Sequence, residues 1–231
     1  MSLFCCVACE KKATWKYLPL CRSCHLALKP TNSICVICGS PLCKKECRFP
    51  WLQPYPIEKV HAPFLSLGRT HEILKAWKKK PGPQLERQIF NWNHDFWTQL
   101  AVENFQSIIP VPQHLNRWNQ LKHHPSHEIA RRTSIKLNIP IIEPLTFNQK
   151  ITNAAKKNRS ERLQMNTLLK WSFSKHKLEL VKKILIVDDF YTSGGTLKNI
   201  SRFIQQEYPI QIQALVLGRR PLYDSSTSEL A

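Results

Sequence analysis

Glycine is scarce in this chain: six in 231 residues, against a usual share of about 7%. Turns that need left-handed backbone are therefore few, and the adjacent pair Gly194-Gly195 stands out. Carboxylates are also in short supply, with 16 Asp and Glu against 34 Lys and Arg, for a formal net charge of +18. That imbalance suits polyanions, either nucleic acid or a ligand carrying a diphosphate. There is no apolar run of eighteen residues, which argues against a membrane-spanning helix. The opening Met-Ser-Leu-Phe-Cys-Cys has neither a charged n-region nor an apolar h-region, so no secretory leader is expected. A cytoplasmic setting follows as the expectation, with thiols that are reduced or metal-bound rather than disulfide-paired. What is present, 42% hydrophobic and 10% aromatic residues, indicates a folded protein. Its length allows one good core and a small extra module.

All nine cysteines lie in residues 1–50. Cys6 and Cys9, Cys21 and Cys24, and Cys35 and Cys38 are three pairs at Cys-x2-Cys spacing, with Cys43 and Cys47 a looser fourth. Such a turn lets two thiolates converge on one tetrahedral ion. Cys6, Cys9, Cys21 and Cys24 suit one zinc site, and Cys35, Cys38, Cys43 and Cys47 another. An interleaved arrangement fits the spacing equally, and Cys5 is an alternative to Cys6. Two four-thiolate zinc sites, each of charge about −2, would leave the chain near +14. Four thiolates leave no open position for water, so the expected role is structural, with a docking surface as a further use. A fifty-residue segment of low apolar content needs a staple of this kind to fold.

The most informative stretch is residues 184–196, Ile-Leu-Ile-Val-Asp-Asp-Phe-Tyr-Thr-Ser-Gly-Gly-Thr. Four large aliphatic residues predict a strand buried on both faces. Asp188 and Asp189 follow at its C-terminal end, where ligands collect in open α/β sheets. Next comes a loop of small residues, Thr192, Ser193, Gly194, Gly195 and Thr196. Leu197, Ile200, Phe203 and Ile204 then share one helical face. Amides at a helix start receive phosphate, and the three hydroxyls add donors. The two carboxylates can accept hydrogen bonds from ribose hydroxyls. The stretch predicts a site for a phosphorylated sugar.

Before it, prolines 50, 54, 56 and 63 mark a linker over residues 51–63. A short strand is expected over residues 60–65, helices over 71–80 and 85–102, and a buried strand over 107–112. The lysines at 78–80, beside Trp77, are either solvated or a grip for a nucleic-acid backbone. The guanidinium fork of Arg117 matches phosphate oxygens. A helix is expected over residues 128–137 and strands over 139–145 and 210–217. Alternating strands and helices from residue 60 onward predict an α/β domain with a mainly parallel sheet. This gives a cysteine module at 1–50, the linker at 51–63, an α/β domain at 64–222 and a disordered tail at 223–231.

The stretch at 184–196 resembles the phosphoribosyl-pyrophosphate (PRPP) motif of type I phosphoribosyltransferases through its aliphatic run, both acids, Thr192, Ser193, Gly194 and Thr196. With the cysteine pairs, the whole chain resembles the ComF family of bacterial competence proteins. The resemblance implies a type I phosphoribosyltransferase fold behind a small zinc module, binding PRPP with Mg2+ in natural transformation. It implies transfer of the pentosyl group or, alternatively, single-stranded-DNA binding with a regulatory PRPP pocket. Other DNA-uptake or recombination proteins would be partners. It places a pyrophosphate loop after the 107–112 strand, with Gln113, His114 and Arg117. It makes residues 149–166, with Lys156, Arg159 and Arg162, a lid over the leaving pyrophosphate. Where ComF-like chains carry Arg-Gly-Phe-Asn-Gln, this one departs, with His124-Pro125-Ser126-His127.

Overall fold

The computed structural model describes residues 5–14, 18–28, 35–37, 47, 56–90, 94–113, 123–147 and 169–220. In chain order these form α1 (Arg22–Ala27), β1 (Val60–His61), β2 (Phe64–Leu65), α2 (Gly68–Lys79), α3 (Pro83–Phe90), α4 (His94–Ala101), β3 (Ser107–Pro110) and α5 (Pro125–Leu137). There follow β4 (Leu145–Phe147), β5 (Leu169–Trp171), a 3-10 helix (Phe173–Leu178), β6 (Lys183–Tyr191), α6 (Gly195–Gln205) and β7 (Gln211–Arg219).

Five strands make one parallel sheet in the order β1-β7-β6-β3, with β2 also pairing with β7. Both faces are covered, as a parallel sheet requires. On one face Ile108, Leu185, Val187, Leu215 and Leu217 pack with Ile73, Leu74 and Trp77 of α2 and Ile129 of α5. On the other, Ile109, Ile184, Ile186 and Val216 pack with Leu197, Ile200 and Ile204 of α6. The continuous apolar run of β6 is thus the consequence of burial from both sides. The α/β class with a mainly parallel sheet is what the sequence pattern predicts.

Several boundaries differ from expectation, and proline accounts for most. The strand expected at 60–65 is two short pieces, β1 and β2, on either side of Ala62-Pro63, because proline has no N–H for the ladder. The strand expected at 139–145 reduces to one bridge, Ile141 beside Ile108, between Pro140 and Pro144. Leu145 then opens β4, which pairs antiparallel with β5. This hairpin frames residues 148–168, and Trp171 fixes its base on α6 by packing 4.9 Å from the Phe203 ring. The helix expected at 128–137 starts three residues earlier, with Pro125 at its first position, where a missing N–H costs nothing. In the span 85–102 the structure shows α3 and α4, and residues 91–93 lie outside the described residues. Most consequential, β6 runs on through Asp188 and Asp189 to Tyr191, so the acids lie within the strand rather than after it.

Candidate functional site

The alternation along β6 changes phase at the acidic pair. Leu185 and Val187 face the α2 side and Ile184 and Ile186 the α6 side, but three residues beyond Val187 it is Phe190 that packs on the α2 side. At this shift the two carboxylates meet different partners. Asp188 Oδ1 accepts from the Ser126 hydroxyl at 3.1 Å and from the Asp189 N–H at 2.8 Å. Asp189 Oδ1 accepts from the Phe190 N–H at 2.8 Å, while Oδ2 forms an ion pair with Lys78 Nζ. Burial and then the neighbouring Asp189 charge push the Asp188 carboxyl up to about 7, against opposing hydrogen bonds and the Lys78 charge. Two acids side by side in a half-buried place cannot both hold full charge freely. Asp188 is consequently poised to titrate in the neutral range.

The loop that follows is built around one obligatory glycine. Gly194 is the N-cap of α6 at φ +74, and a Cβ there would lie 2.4 Å from the Tyr191 hydroxyl. Left-handed backbone and lack of space both exclude any side chain. Tyr191 is held in turn by the Arg219 guanidinium, 4.7 Å from its ring centre. Among the described residues no side chain caps α6, and its first amides point into the loop formed by Thr192, Ser193, Gly194, Gly195 and Thr196. Uncapped N–H groups at a helix start are an anion site, and it lies one loop beyond the carboxylates.

At the start of α5 a cavity of about 570 Å³ is lined by His123, His124 and His127 together with Pro81, Glu86, Glu128, Arg131 and Glu143. His124 Nδ1 accepts from the His127 N–H at 3.2 Å, which places the ring proton on Nε2. Burial, followed by the nearby His127, pushes His124 down to about 4, so it is a neutral donor at ordinary pH. His127 Nε2 contacts Glu143 Oε1 at 2.7 Å. Ser126, between these two histidines, reaches Asp188. The segment His124-Pro125-Ser126-His127 is therefore in contact with the acidic pair through Asp188.

A second site lies at the N-terminus. Sulfurs of Cys6, Cys9, Cys21 and Cys24 all lie within 4.8 Å of one another, with Cys9 and Cys21 at 3.7 Å. A tetrahedron with metal–sulfur bonds of about 2.3 Å has edges of about 3.8 Å, so the donor set fits a tetrahedral metal ion. Burial and the adjacent sulfurs push the Cys24 thiol up to about 12, so four thiolates coexist here only around a cation. Arg69 of α2 lies 4.0 Å from the Cys24 sulfur, and Thr70 donates to the Ala27 carbonyl at 2.9 Å. Cys6, Cys21 and Cys24 share one hydrophobic cluster with Leu74 and Trp77. Of the two spacing alternatives, the structure joins the first pair to the second and uses Cys6; Cys5 is exposed. Among the other four proposed ligands, Cys38 and Cys43 lie outside the described residues, while Cys35 and Cys47 are partly buried.

His114, Arg117, Lys156, Arg159 and Arg162 also lie outside the described residues. Trp77 is fully buried, so its ring is not open to stacking on bases. Three residues of the site escaped sequence reasoning. Lys78 lay within a lysine run, Ser126 within the divergent segment, and Arg219 within a basic C-terminal pair. Arg219 is fully buried and donates to the carbonyls of Val36, at 2.7 Å, and Ile37. It ties Val36 and Ile37 to β7, beside the strand that leads into the loop at 192–196. An arginine at the end of an apolar strand offered only a weak signal of this.

No curated protein matches the chain. Residues 126–226 match the family model of the phosphoribosyl transferase domain. The matched residues include β6, the central strand that carries the acidic pair.

Proposed function

We propose that the protein binds PRPP with Mg2+ and transfers the pentosyl group to a nitrogen nucleophile. The observation that carries this reading is the order along one central strand: two anchored carboxylates, then a helix start with glycine at its N-cap and no side-chain cap among the described residues. Asp188 and Asp189 hold the ribose hydroxyls, and the amides and hydroxyls at 192–196 hold the 5-phosphate. As the C1–O bond breaks, the sugar gains positive charge and the departing pyrophosphate negative charge. The acids offset the former; Arg117, His114, Lys156, Arg159 and Arg162 are assigned to the latter. Mg2+, brought in with PRPP, would supply positive charge to offset that on the departing pyrophosphate. The N-terminal metal is assigned as zinc, with a second zinc on Cys35, Cys38, Cys43 and Cys47, and a cytoplasmic setting agrees with thiolate ligation.

The Asp188 titration provides the test. A carboxylate that must accept from ribose hydroxyls binds as the anion, and this one ionises near 7. PRPP affinity is therefore expected to rise by up to about tenfold per pH unit below 7 and to level off above it. Binding at pH 6.5 should release protons, seen as calorimetric heats that vary with buffer ionisation enthalpy. Stability runs the other way. The folded-state value lies above the usual carboxylate value of about 4, so the contribution of Asp188 is full below pH 4 and is lost as pH rises through 7. Absence of any Mg2+-dependent PRPP binding would remove this reading.

The charge of +18 favours a second reading, a single-stranded-DNA-binding factor in natural transformation whose PRPP pocket is regulatory. Its signature is a DNA affinity whose logarithm falls linearly with log salt, by about 0.7 per phosphate neutralised. Filter binding of an oligonucleotide across a salt series measures it, and no affinity near 150 mM salt excludes it.

A further inference from the structure

Lys78 stands apart from the two lysines that follow it. Lys79 and Lys80 are exposed, whereas Lys78 turns inward at the end of α2 with its side chain 24% exposed. Its ammonium is ion-paired to Asp189 Oδ2 and sits 5.5 Å from the centre of the Phe190 ring. Of the Asp189 oxygens, Oδ1 accepts the Phe190 N–H and Oδ2 faces the Lys78 ammonium. A ribose hydroxyl that takes Oδ2 competes with this amine. The displaced amine, in a partly buried place, then needs another anion. Carbon 1 of the sugar adjoins the hydroxyl-bearing carbon 2, so a diphosphate on carbon 1 arrives within reach of a flexible four-carbon stem.

We propose that Lys78 is a substrate-binding residue for the diphosphate: it occupies Asp189 until the sugar hydroxyls take that oxygen, then pairs with the diphosphate at carbon 1. The proposal rests on the PRPP reading above. It also makes the site composite, since α2 precedes the matched residues 126–226. A helix from the N-terminal half, which also touches the cysteine cluster through Arg69, completes a pocket of the transferase domain.

The test compares two ligands with and without the diphosphate. Calorimetry would measure Mg2+-PRPP and ribose 5-phosphate binding to the full chain, to Lys78→Met and to Lys78→Arg. Lys78→Met keeps the apolar stem and removes the charge. It should weaken PRPP binding by about tenfold to a hundredfold and leave ribose 5-phosphate binding unchanged or tighter, since Asp189 is released. Lys78→Arg should stay within a few-fold of wild type for both. Equal PRPP binding by Lys78→Met, or equal losses for both ligands, overturns the proposal, the latter marking a structural role. Wild-type protein that binds ribose 5-phosphate and not PRPP removes the PRPP reading and this proposal with it. If Lys78→Met fails to fold, competition by inorganic pyrophosphate against PRPP in Lys78→Gln gives the same comparison.

Discussion

The double variant Asp188→Asn, Asp189→Asn is expected to lose Mg2+-PRPP binding by more than about a hundredfold. A hydrogen bond to a charged group contributes about 1.5–3 kcal/mol, and two carboxylates facing the ribose hydroxyls together supply about 3–6 kcal/mol. Asparagine keeps the shape but presents an amide donor where the sugar needs an acceptor. The fold itself should survive. Asp188 is pushed up to about 7 by burial and by Asp189, so removing both charges relieves repulsion that the folded state now bears. The cost is an orphaned Lys78, partly open to water at 24% exposure. Calorimetry reads the binding loss, and thermal unfolding checks that the variant remains folded. Undiminished PRPP binding by this variant would show that the ribose sits elsewhere.

Removing the N-terminal metal is expected to have the largest effect on stability. Four sulfurs within 4.8 Å repel one another as thiolates unless a cation lies between them. Structural zinc contributes about 10–16 kcal/mol of binding free energy in small modules, and that energy is folding energy where no site exists in the unfolded chain. Here the module is not isolated. Cys6, Cys21 and Cys24 pack in the same cluster as Leu74 and Trp77 of α2, and α2 carries Lys78 into the acidic site. Cys24→Ser should therefore lower the unfolding temperature by roughly 10 °C or more, given about 2–4 °C per kcal/mol in a chain of this size. Elemental analysis should find about one metal ion fewer per chain in the variant than in wild type. Wild-type protein with less than about one metal per chain would refute the thiolate site.

Much of the fold was legible in local pattern. The aliphatic run of β6, the apolar face of α6 and the strand β7 follow from burial on two faces, on one face and on two faces again. The loop at 192–196 was legible for a different reason: a chain with six glycines places two together where φ +74 and the Tyr191 ring demand one. Strand limits were less legible. Prolines 63, 140 and 144 cut the ladders short, and the preference of Pro125 for a first helical position moved α5 into what read as a loop. In each case a missing N–H outweighed the apolar pattern around it.

By itself, then, the sequence determined that a parallel α/β sheet would present Asp188 and Asp189 before a glycine turn and a helix start, and that paired cysteines would gather at the N-terminus. Periodicity and motif spacing act over a few residues, and so they can be read without knowing what lies across the chain. Only the tertiary structure decided what holds those groups. Ser126 reaches Asp188 across 62 positions, Arg219 reaches Val36 across 183, and Lys78 reaches Asp189 from a helix outside the matched domain. Such pairings depend on which helix the folded sheet brings to its own C-terminal edge, and a run of lysines looks the same in sequence whether it meets water or a buried carboxylate.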